Sequence, residues 1–302
     1  MTSRRVDEGP ARRAASARSW LRLSAIGLAA TLAAACGPPA PAPAAKADAT
    51  TTAAPDLAAA LRHVDLVDLS HAFDAATLVW PTSDAFRLEQ VAAGPTPGGW
   101  YYASNVVHTT EHGGTHMDAP IHFAAGQITA EAVPLTRLIG AALVVDVTAQ
   151  AGTDADYLVT VADLQAWEQA HGRIDRGSLV LIRTGWSARW PDAVRYLGTA
   201  GKGDAAVAQL HFPGLHPDAA AFLVSERQIG AVGIDTASID RGQSTTFEAH
   251  RALAAAGVPA FENLTQLDAL PARGAWLFAL PMKIGGGSGG PLRAVALVPR
   301  PS

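Results

Sequence analysis

The sequence predicts an α/β domain with a mixed β-sheet. From Val64 onward, apolar runs of strand length alternate with segments of helical periodicity. Most of these runs are apolar at nearly every position, which is typical of strands buried on both faces. The chain has 302 residues, 49% hydrophobic and 17% charged, which is enough for a substantial core. We expect this domain to span residues 61–302.

Five apolar runs are expected to be the buried strands. They lie at 142–148, 178–186, 229–235, 275–284 and 293–299. The last two are joined by "GGGSGG" (285–290), which lacks the pattern of a phosphate-binding P-loop. A turn between two strands is the structure expected there.

Three segments between these strands have helical periodicity. They are 160–172, 216–230 and 245–259. In the first, Thr160 is an N-cap with Asp163 three residues later. In the third, Thr245 and Glu248 have the spacing of a capping box. Residues 187–215, which contain several glycines and prolines, are expected to form a long loop.

The first 36 residues have the composition of an export signal. Six arginines precede an apolar run of 13 residues, Leu23 to Ala35. This run is too short to span a bilayer but suits the core of a signal peptide. The small residues before Cys36 resemble a bacterial lipobox, in which that cysteine is acylated. We expect residues 1–35 to be a signal peptide and Cys36 to carry a lipid; a plain secretory signal is the alternative.

Residues 36–60 are rich in alanine, proline and threonine, and they are expected to be a linker. The net charge of the chain is −4, with no basic block after the export signal, so nothing supports nucleic-acid binding. Membrane contact is expected only through the lipid on Cys36. These features together predict an exported lipoprotein of the periplasm or cell envelope.

The segment "EHGGTHMDAPIHF" (111–123) concentrates side chains that bind metals. They lie at intervals of four, two and four residues: His112, His116, Asp118 and His122. A straight strand would place the first and last about 33 Å apart, at ~3.3 Å per residue. The chain must therefore fold back, which Gly113–Gly114 and Pro120 allow. Imidazoles with one carboxylate favour zinc, manganese or iron over calcium or magnesium.

Two other interpretations of this cluster stay open. Core or surface histidines could be gathered there by chance, although the chain has only ten histidines in all. A structural zinc site is the second interpretation. Such sites usually use cysteine and fill all four positions with protein ligands. Because Cys36 is the only cysteine, an open catalytic site is favoured.

The segment "HGGTHMDAPIHF" resembles the HxGTHxDxPxH signature of the cyclase family of metal hydrolases, which includes kynurenine formamidases and isatin hydrolases. Further stretches are also similar to that family: "VDLSHAFDAATLVWPTSDAF" (67–86), "IGAVGIDTASID" (229–240), "STTFEAHRALAAAGVPAFENL" (244–264) and "LPMKIGGGSGGPLRAVAL" (280–297). The similarity covers about residues 64–300. It implies the family's swivelling β/β/α-type fold and a homodimer.

The resemblance also implies roles for individual residues. Five are implied as ligands of one or two zinc or manganese ions: His112, His116, Asp118, His250 and Glu262. Asp118 and Glu262 would bridge two ions in a dinuclear site. His122 corresponds to the catalytic histidine, and Trp80 to a residue that lines the substrate pocket. The sequence departs from the short formamidases at "PTSD" (81–84) and in its longer 187–215 segment, which leaves the substrate open.

Elementary chemistry supports part of this set independently. Glu262 lies in the apolar run "VPAFENL", where a carboxylate needs a partner such as a metal ion, unless it is an exposed turn residue. Four more polar residues are expected near the site in structural roles: Asp235, Ser238, Asp240 and Ser244.

The favoured function is hydrolysis of the amide C–N bond of an aryl formamide or a cyclic amide by a metal-activated water. His122 would carry the proton, and Trp80 with aromatic residues of 187–215 would hold a small aromatic substrate. Opening of an isatin-type lactam is one alternative. A metal-binding surface lipoprotein without catalysis is the other.

Overall fold

A computed structural model describes residues 57–300, in which twelve strands and seven α-helices are found. The strands are β1 (Val64–Asp68), β2 (Arg87–Pro95), β3 (Tyr101–His108), β4 (His116–Asp118), β5 (Ile139–Asp146), β6 (Leu158–Val159), β7 (Leu179–Arg183), β8 (Gly214–Leu215), β9 (Ala231–Ile234), β10 (Ala260–Glu262), β11 (Ala275–Pro281) and β12 (Gly289–Pro299). The helices are α1 (Leu57–Leu61), α2 (Thr148–Thr153), α3 (Val161–His171), α4 (Ala193–Leu197), α5 (Asp204–Val207), α6 (Pro217–Phe222) and α7 (Glu248–Ala255).

Eight strands form one mixed sheet in the order β1-β12-β11-β5-β7-β9-β10-β4. Strands β5, β7, β9 and β10 are parallel to their neighbours within this group, and the remaining pairings are antiparallel. The first residues of β12 also pair with β4, with Gly289 opposite Asp118. The sheet therefore closes into a barrel, and β4 is held between β10 and β12.

The two faces of the closed sheet carry two separate cores. Side chains of alternate strand positions, such as Leu179 and Leu181, pack inside the barrel with the small residues of β11 and β12. The intervening positions, such as Val180 and Ile182, pack outward against α3, α6 and α7. The alternation expected of a strand with both faces buried is thus present, and the predicted mixed α/β fold is confirmed.

Strands β2 and β3 form a separate antiparallel ribbon, with Arg87 opposite His108 at its base. Seven large apolar side chains on this ribbon and its turn are between 43% and 70% exposed: Leu88, Val91, Trp100, Tyr101, Tyr102, Val106 and Val107. So much exposed apolar surface on a thin element indicates a contact surface.

Of the two helix N-terminal caps predicted from the sequence, one is correct and one is wrong. Thr160 is the N-cap of α3 as predicted, and together with Asp163 it forms a capping box. The capping box predicted at Thr245 is wrong, because α7 begins only at Glu248. The carboxylate of Asp240 instead accepts the Ala249 and His250 backbone N–H groups.

Residues 187–215 are not the long loop that was predicted. This segment contains α4, α5 and β8. Asp192 caps α4 by accepting the Arg195 N–H, and Tyr196 is fully buried beside Trp186. Packing of these aromatic rings, and not helix propensity, orders such short helices.

The predicted signal peptide (1–35) and Cys36 lie outside the described residues, as does most of the predicted linker. Its last residues, from Leu57, belong to α1. Between residues 57 and 300, no helix has the length and hydrophobicity needed to cross a membrane.

Candidate metal centre

Pairing of β4 with β10 brings two carboxylates and a histidine together. His116 and Asp118 are two positions apart on β4, so both point to the outer face of the barrel while Met117 points inward. Glu262 lies directly opposite His116 across the β4–β10 pair and therefore shares that face. All three residues are at most 4% exposed.

The chain folds back on both sides of β4, as the sequence predicted. Before it, Gly113 forms a bridge with Val79, and Gly114 has a φ of 57°, which favours glycine. After it, Pro120 starts a 3₁₀ turn that ends at His122. These two bends stack the imidazole of His122 on that of His112, with centroids 3.8 Å apart and planes 16° from parallel.

Helix α7 supplies His250 from the opposite wall. Its Nε2 lies 3.0 Å from Asp118 Oδ2 and 3.0 Å from Glu262 Oε1. Its Nδ1 lies 2.6 Å from Asp240 Oδ2, which holds the ring with Nε2 directed at the two carboxylates. The sequence placed Asp240 near the site, and its carboxylate both caps α7 and orients His250.

The two carboxylates bridge the two buried histidines. Their other oxygens face His116, whose Nε2 lies 3.2 Å from Asp118 Oδ1 and 3.4 Å from Glu262 Oε2. Nδ1 of His112 lies 2.7 Å from Asp118 Oδ1. The structure thus brings together all five residues that the resemblance implied as metal ligands.

This arrangement fits a divalent transition metal. Ligand atoms around a tetrahedral zinc ion with bonds of about 2.0–2.1 Å are about 3.4 Å apart, close to the separations seen here. Nε2 of His116 is buried without a hydrogen-bond partner, whereas its Nδ1 faces the Gly114 carbonyl at 2.9 Å. A nitrogen left free between two carboxylates is what a metal ligand requires.

Electrostatics in this cluster bind protons strongly when no metal is present. Burial alone would lower the pKa of His116, but the nearby carboxylates of Asp118 and Glu262 raise it to about 10. Against the same burial, hydrogen bonds to Asp118, Asp240 and Glu262 raise the pKa of His250 well above its usual value. Two positive imidazoliums then neutralise two carboxylates.

His122 differs from these histidines. Burial against neighbouring rings lowers its pKa to about 4, although part of the residue is exposed at the cavity. The charge of the nearby Asp118 carboxylate opposes this lowering of the pKa, whereas His112 and His250 act in the same direction as burial. His122 is therefore a neutral imidazole at neutral pH, with a free lone pair that can accept a proton.

A cavity of about 240 Å³ opens onto the cluster. Trp80 lines it, as the resemblance implied, together with Phe123 and Phe247, whose rings are 5.2 Å apart. The predicted contribution of aromatic residues from 187–215 is wrong, because Trp190 stacks on His71 and Leu197 is the residue of that segment at the cavity.

Sequence reasoning missed Phe123 and Phe247. Phe123 directly follows the histidine signature, and this position was a usable signal. Phe247 has a φ of 49°, a conformation that no sequence pattern predicted. Ser238 also lines the cavity. Asp235 and Ser244 have structural roles: the first accepts the Thr184 and Gly185 N–H groups, and the second accepts the Phe247 N–H group.

Comparison with known proteins agrees with this geometry. The family model described as "Putative cyclase" matches residues 67–241, more than half of the chain. The chain belongs to the cyclase family. Its predicted membership is therefore confirmed.

Individual relatives fall into two activity groups. The chain is 36% identical over 210 residues to an isatin hydrolase of Roseibium aggregatum, which covers 67% of this chain and 77% of the relative. It is 30% identical over 236 residues to a kynurenine formamidase of Salinibacter ruber, an alignment that covers 76% of this chain and 96% of the relative. The solved structure of isatin hydrolase A from Ralstonia solanacearum superposes with a TM-score of 0.73 at 36% identity, covering 83% of this chain and 99% of that one.

Proposed function

We propose that this metal-dependent amide hydrolase opens the ring of a small aromatic lactam of the isatin type. The observation that carries the proposal is the position of the carboxylate–histidine cluster at the end of an aromatic cavity. Hydrolysis of an aryl formamide is the second candidate, since kynurenine formamidases are also relatives. Both reactions break an amide C–N bond.

The cavity suits a flat aromatic substrate. Its apolar wall includes Leu78, Trp80, Phe123, Leu197 and Phe247. The Trp80 and Phe247 rings lie 6.3 Å apart at 57°, and the Phe123 ring lies 4.4 Å from that of His250. An aromatic substrate between these rings would gain apolar burial and edge contacts while its polar carbonyl faces the cluster. The greater identity to an isatin hydrolase than to a formamidase favours the lactam.

The proposed mechanism assigns distinct tasks to the chain's residues. The five-residue cluster would hold one or two zinc or manganese ions, which when bound would activate water and polarise the amide carbonyl. His122, neutral and beside the cluster, would accept the proton of the attacking water. It would then deliver that proton to the leaving nitrogen, as a general base and then a general acid. The aromatic wall would keep bulk water from competing with the positioned substrate.

The decisive experiment compares kcat/KM for isatin with that for N-formylkynurenine, using protein purified without chelator. We expect a preference for isatin, and loss of both activities in Glu262→Gln. Metal content measured on the same samples separates a wrong substrate from an empty centre. Metal-replete protein that hydrolyses neither substrate, nor other lactams and formamides, would refute the proposal.

We propose further that the chain forms a homodimer through the β2–β3 ribbon. The exposed apolar side chains of the ribbon support this, because a thin two-stranded element gains little stability alone. Tyr101→Ser combined with Val107→Thr should give a monomer in light scattering. Trp276→Ser, which changes a side chain 52% exposed on β11, is the matched control and should leave the dimer intact.

Export as a lipoprotein is also a proposal. The arginine-rich start, the 13-residue apolar run and Cys36 support it. Labelling cells with a radioactive fatty acid should mark the wild-type protein but not Cys36→Ser. An unlabelled protein that is nevertheless shortened and exported would support the plain secretory signal.

A further inference from the structure

The glycine-rich turn between β11 and β12 reaches the metal cluster through Ser288. Its Oγ lies 2.9 Å from His112 Nε2 and 2.6 Å from Glu111 Oε2. The backbone N–H of Ser288 also donates to the same Glu111 oxygen, at 3.1 Å. Glu111, Ser288 and His112 thus form a continuous hydrogen-bonded relay. It ends at Nε2 of His112, the ring nitrogen that points away from Asp118.

The glycines of this turn explain how Ser288 can lie within hydrogen-bond distance of His112 and Glu111. A Cβ built on Gly289 would lie 2.4 Å from the Met117 carbonyl and 2.6 Å from the His112 ring. A Cβ on Gly287 would lie 2.7 Å from Glu111 Oε1. The turn is also anchored, because the Ala119 and Ala130 N–H groups donate to the Ser288 and Gly287 carbonyls. The glycines therefore permit close packing and do not indicate a flexible connection.

The polarity of the relay follows from the chemistry of its members. A carboxylate can only accept hydrogen bonds, so the Ser288 hydroxyl must donate its single proton to Glu111. The Ser288 oxygen can then only accept from His112, which requires a proton on Nε2. A neutral His112 with that proton has its lone pair on Nδ1, the nitrogen that faces Asp118 at 2.7 Å.

We infer that Glu111 and Ser288 are positioning residues that fix His112 in the tautomer able to bind a metal through Nδ1. This inference rests on the proposed function only in taking the five-residue cluster to be a metal site. Without the relay, the proton of a neutral His112 can move to Nδ1 and donate to Asp118, which removes one ligand. Removal of such outer partners typically weakens metal binding about 10- to 100-fold.

The test measures zinc affinity by chelator competition and the protonation of His112 by nitrogen-15 NMR. We expect Ser288→Ala and Glu111→Ala each to raise the zinc Kd about 10- to 100-fold. Glu111→Gln keeps an oxygen acceptor, so its Kd should lie between those of wild type and Glu111→Ala. Gly285→Ala is the matched control in the same turn, because a Cβ there meets no atom within 4 Å, and its Kd should be unchanged.

NMR supplies the readout that a merely structural role would not change. In wild type we expect a proton on His112 Nε2 that exchanges slowly with water, both with and without zinc, and rapid exchange in Ser288→Ala. A wild-type Nε2 without a proton, or zinc Kd values of both alanine variants within twofold of wild type, would overturn the inference. Because the metal-free protein also reports this proton, failure to bind zinc or to hydrolyse amides would refute the proposed function separately.

Discussion

Loading of the metal centre should release protons, and the number follows from the structure. The pKa of His116 is raised to about 10 and that of His250 is also well above its usual value, so each imidazole favours binding a proton in the metal-free protein. Both must lose it to offer Nε2 to a metal. We therefore expect at least two protons per chain on loading, with a third where Nδ1 of His112 also donates to Asp118 before the metal binds. This exchange leaves the buried charge unchanged for one divalent ion, since two imidazolium charges are replaced by a charge of +2.

Isothermal titration of metal-free protein with zinc, repeated in buffers of different ionisation enthalpy, measures this number directly. The sign of the pH dependence is also fixed: protons compete with the metal below a pKa of about 10. Zinc affinity should thus rise with pH, by as much as about 100-fold per unit if two protons are displaced. His211→Ala is the control, because this exposed histidine pairs with Asp156 away from the cluster and should not alter the count. A heat that is the same in every buffer would refute the electrostatic account, whereas ionisation of a water could only increase the count.

Three further predictions concern catalysis, substrate binding and stability. His122→Ala should lower kcat about 10²- to 10⁴-fold with unchanged metal content by elemental analysis, because it removes the proton carrier but no required ligand. Trp80→Ala should raise KM for an aromatic substrate about tenfold with little change in kcat, as steady-state kinetics would show, because it opens the apolar wall. Phe261→Ala should lower the free energy of unfolding in urea by about 3–5 kcal/mol, because this ring is fully buried inside the barrel next to Glu262.

Each of these has a distinct contrary result. Loss of metal from His122→Ala would make that residue a ligand, and an unchanged KM in Trp80→Ala would place the substrate elsewhere. A nearly unchanged free energy of unfolding in Phe261→Ala would mean that the barrel core relaxes around the missing ring.

What the sequence could predict depended on the range of the interactions. The capping box of Thr160 involves residues three apart, and the two-residue spacing of His116 and Asp118 already required a shared face on a strand. Strand β4 itself is only three residues long, so its existence depends on pairing with β10 and β12. No local pattern could show that Glu262 would lie opposite His116.

The features that the sequence did not predict share a physical cause: each depends on tertiary contacts and lacks a local sequence pattern. The cap of α7 comes from Asp240, beyond the reach of the usual capping pattern, and so Thr245 was assigned that role wrongly. The ribbon of β2 and β3 mixes apolar and polar residues on exposed faces, so it lacks the periodicity of a half-buried strand. Phe247 reaches the cavity through a left-handed backbone conformation that only the packed structure selects.

The position of β4 between β10 and β12 also determines when the centre can assemble during folding. Its partners lie about 140 and about 170 residues further along the chain, so their pairing closes very long loops. The ligands on β4 therefore meet Glu262 and the Ser288 turn only after nearly the whole domain has been synthesised. A chain that ends before β12 has the signature histidines but lacks one of the two strands that hold β4 in register, so we expect the metal to be acquired as one of the last steps of maturation.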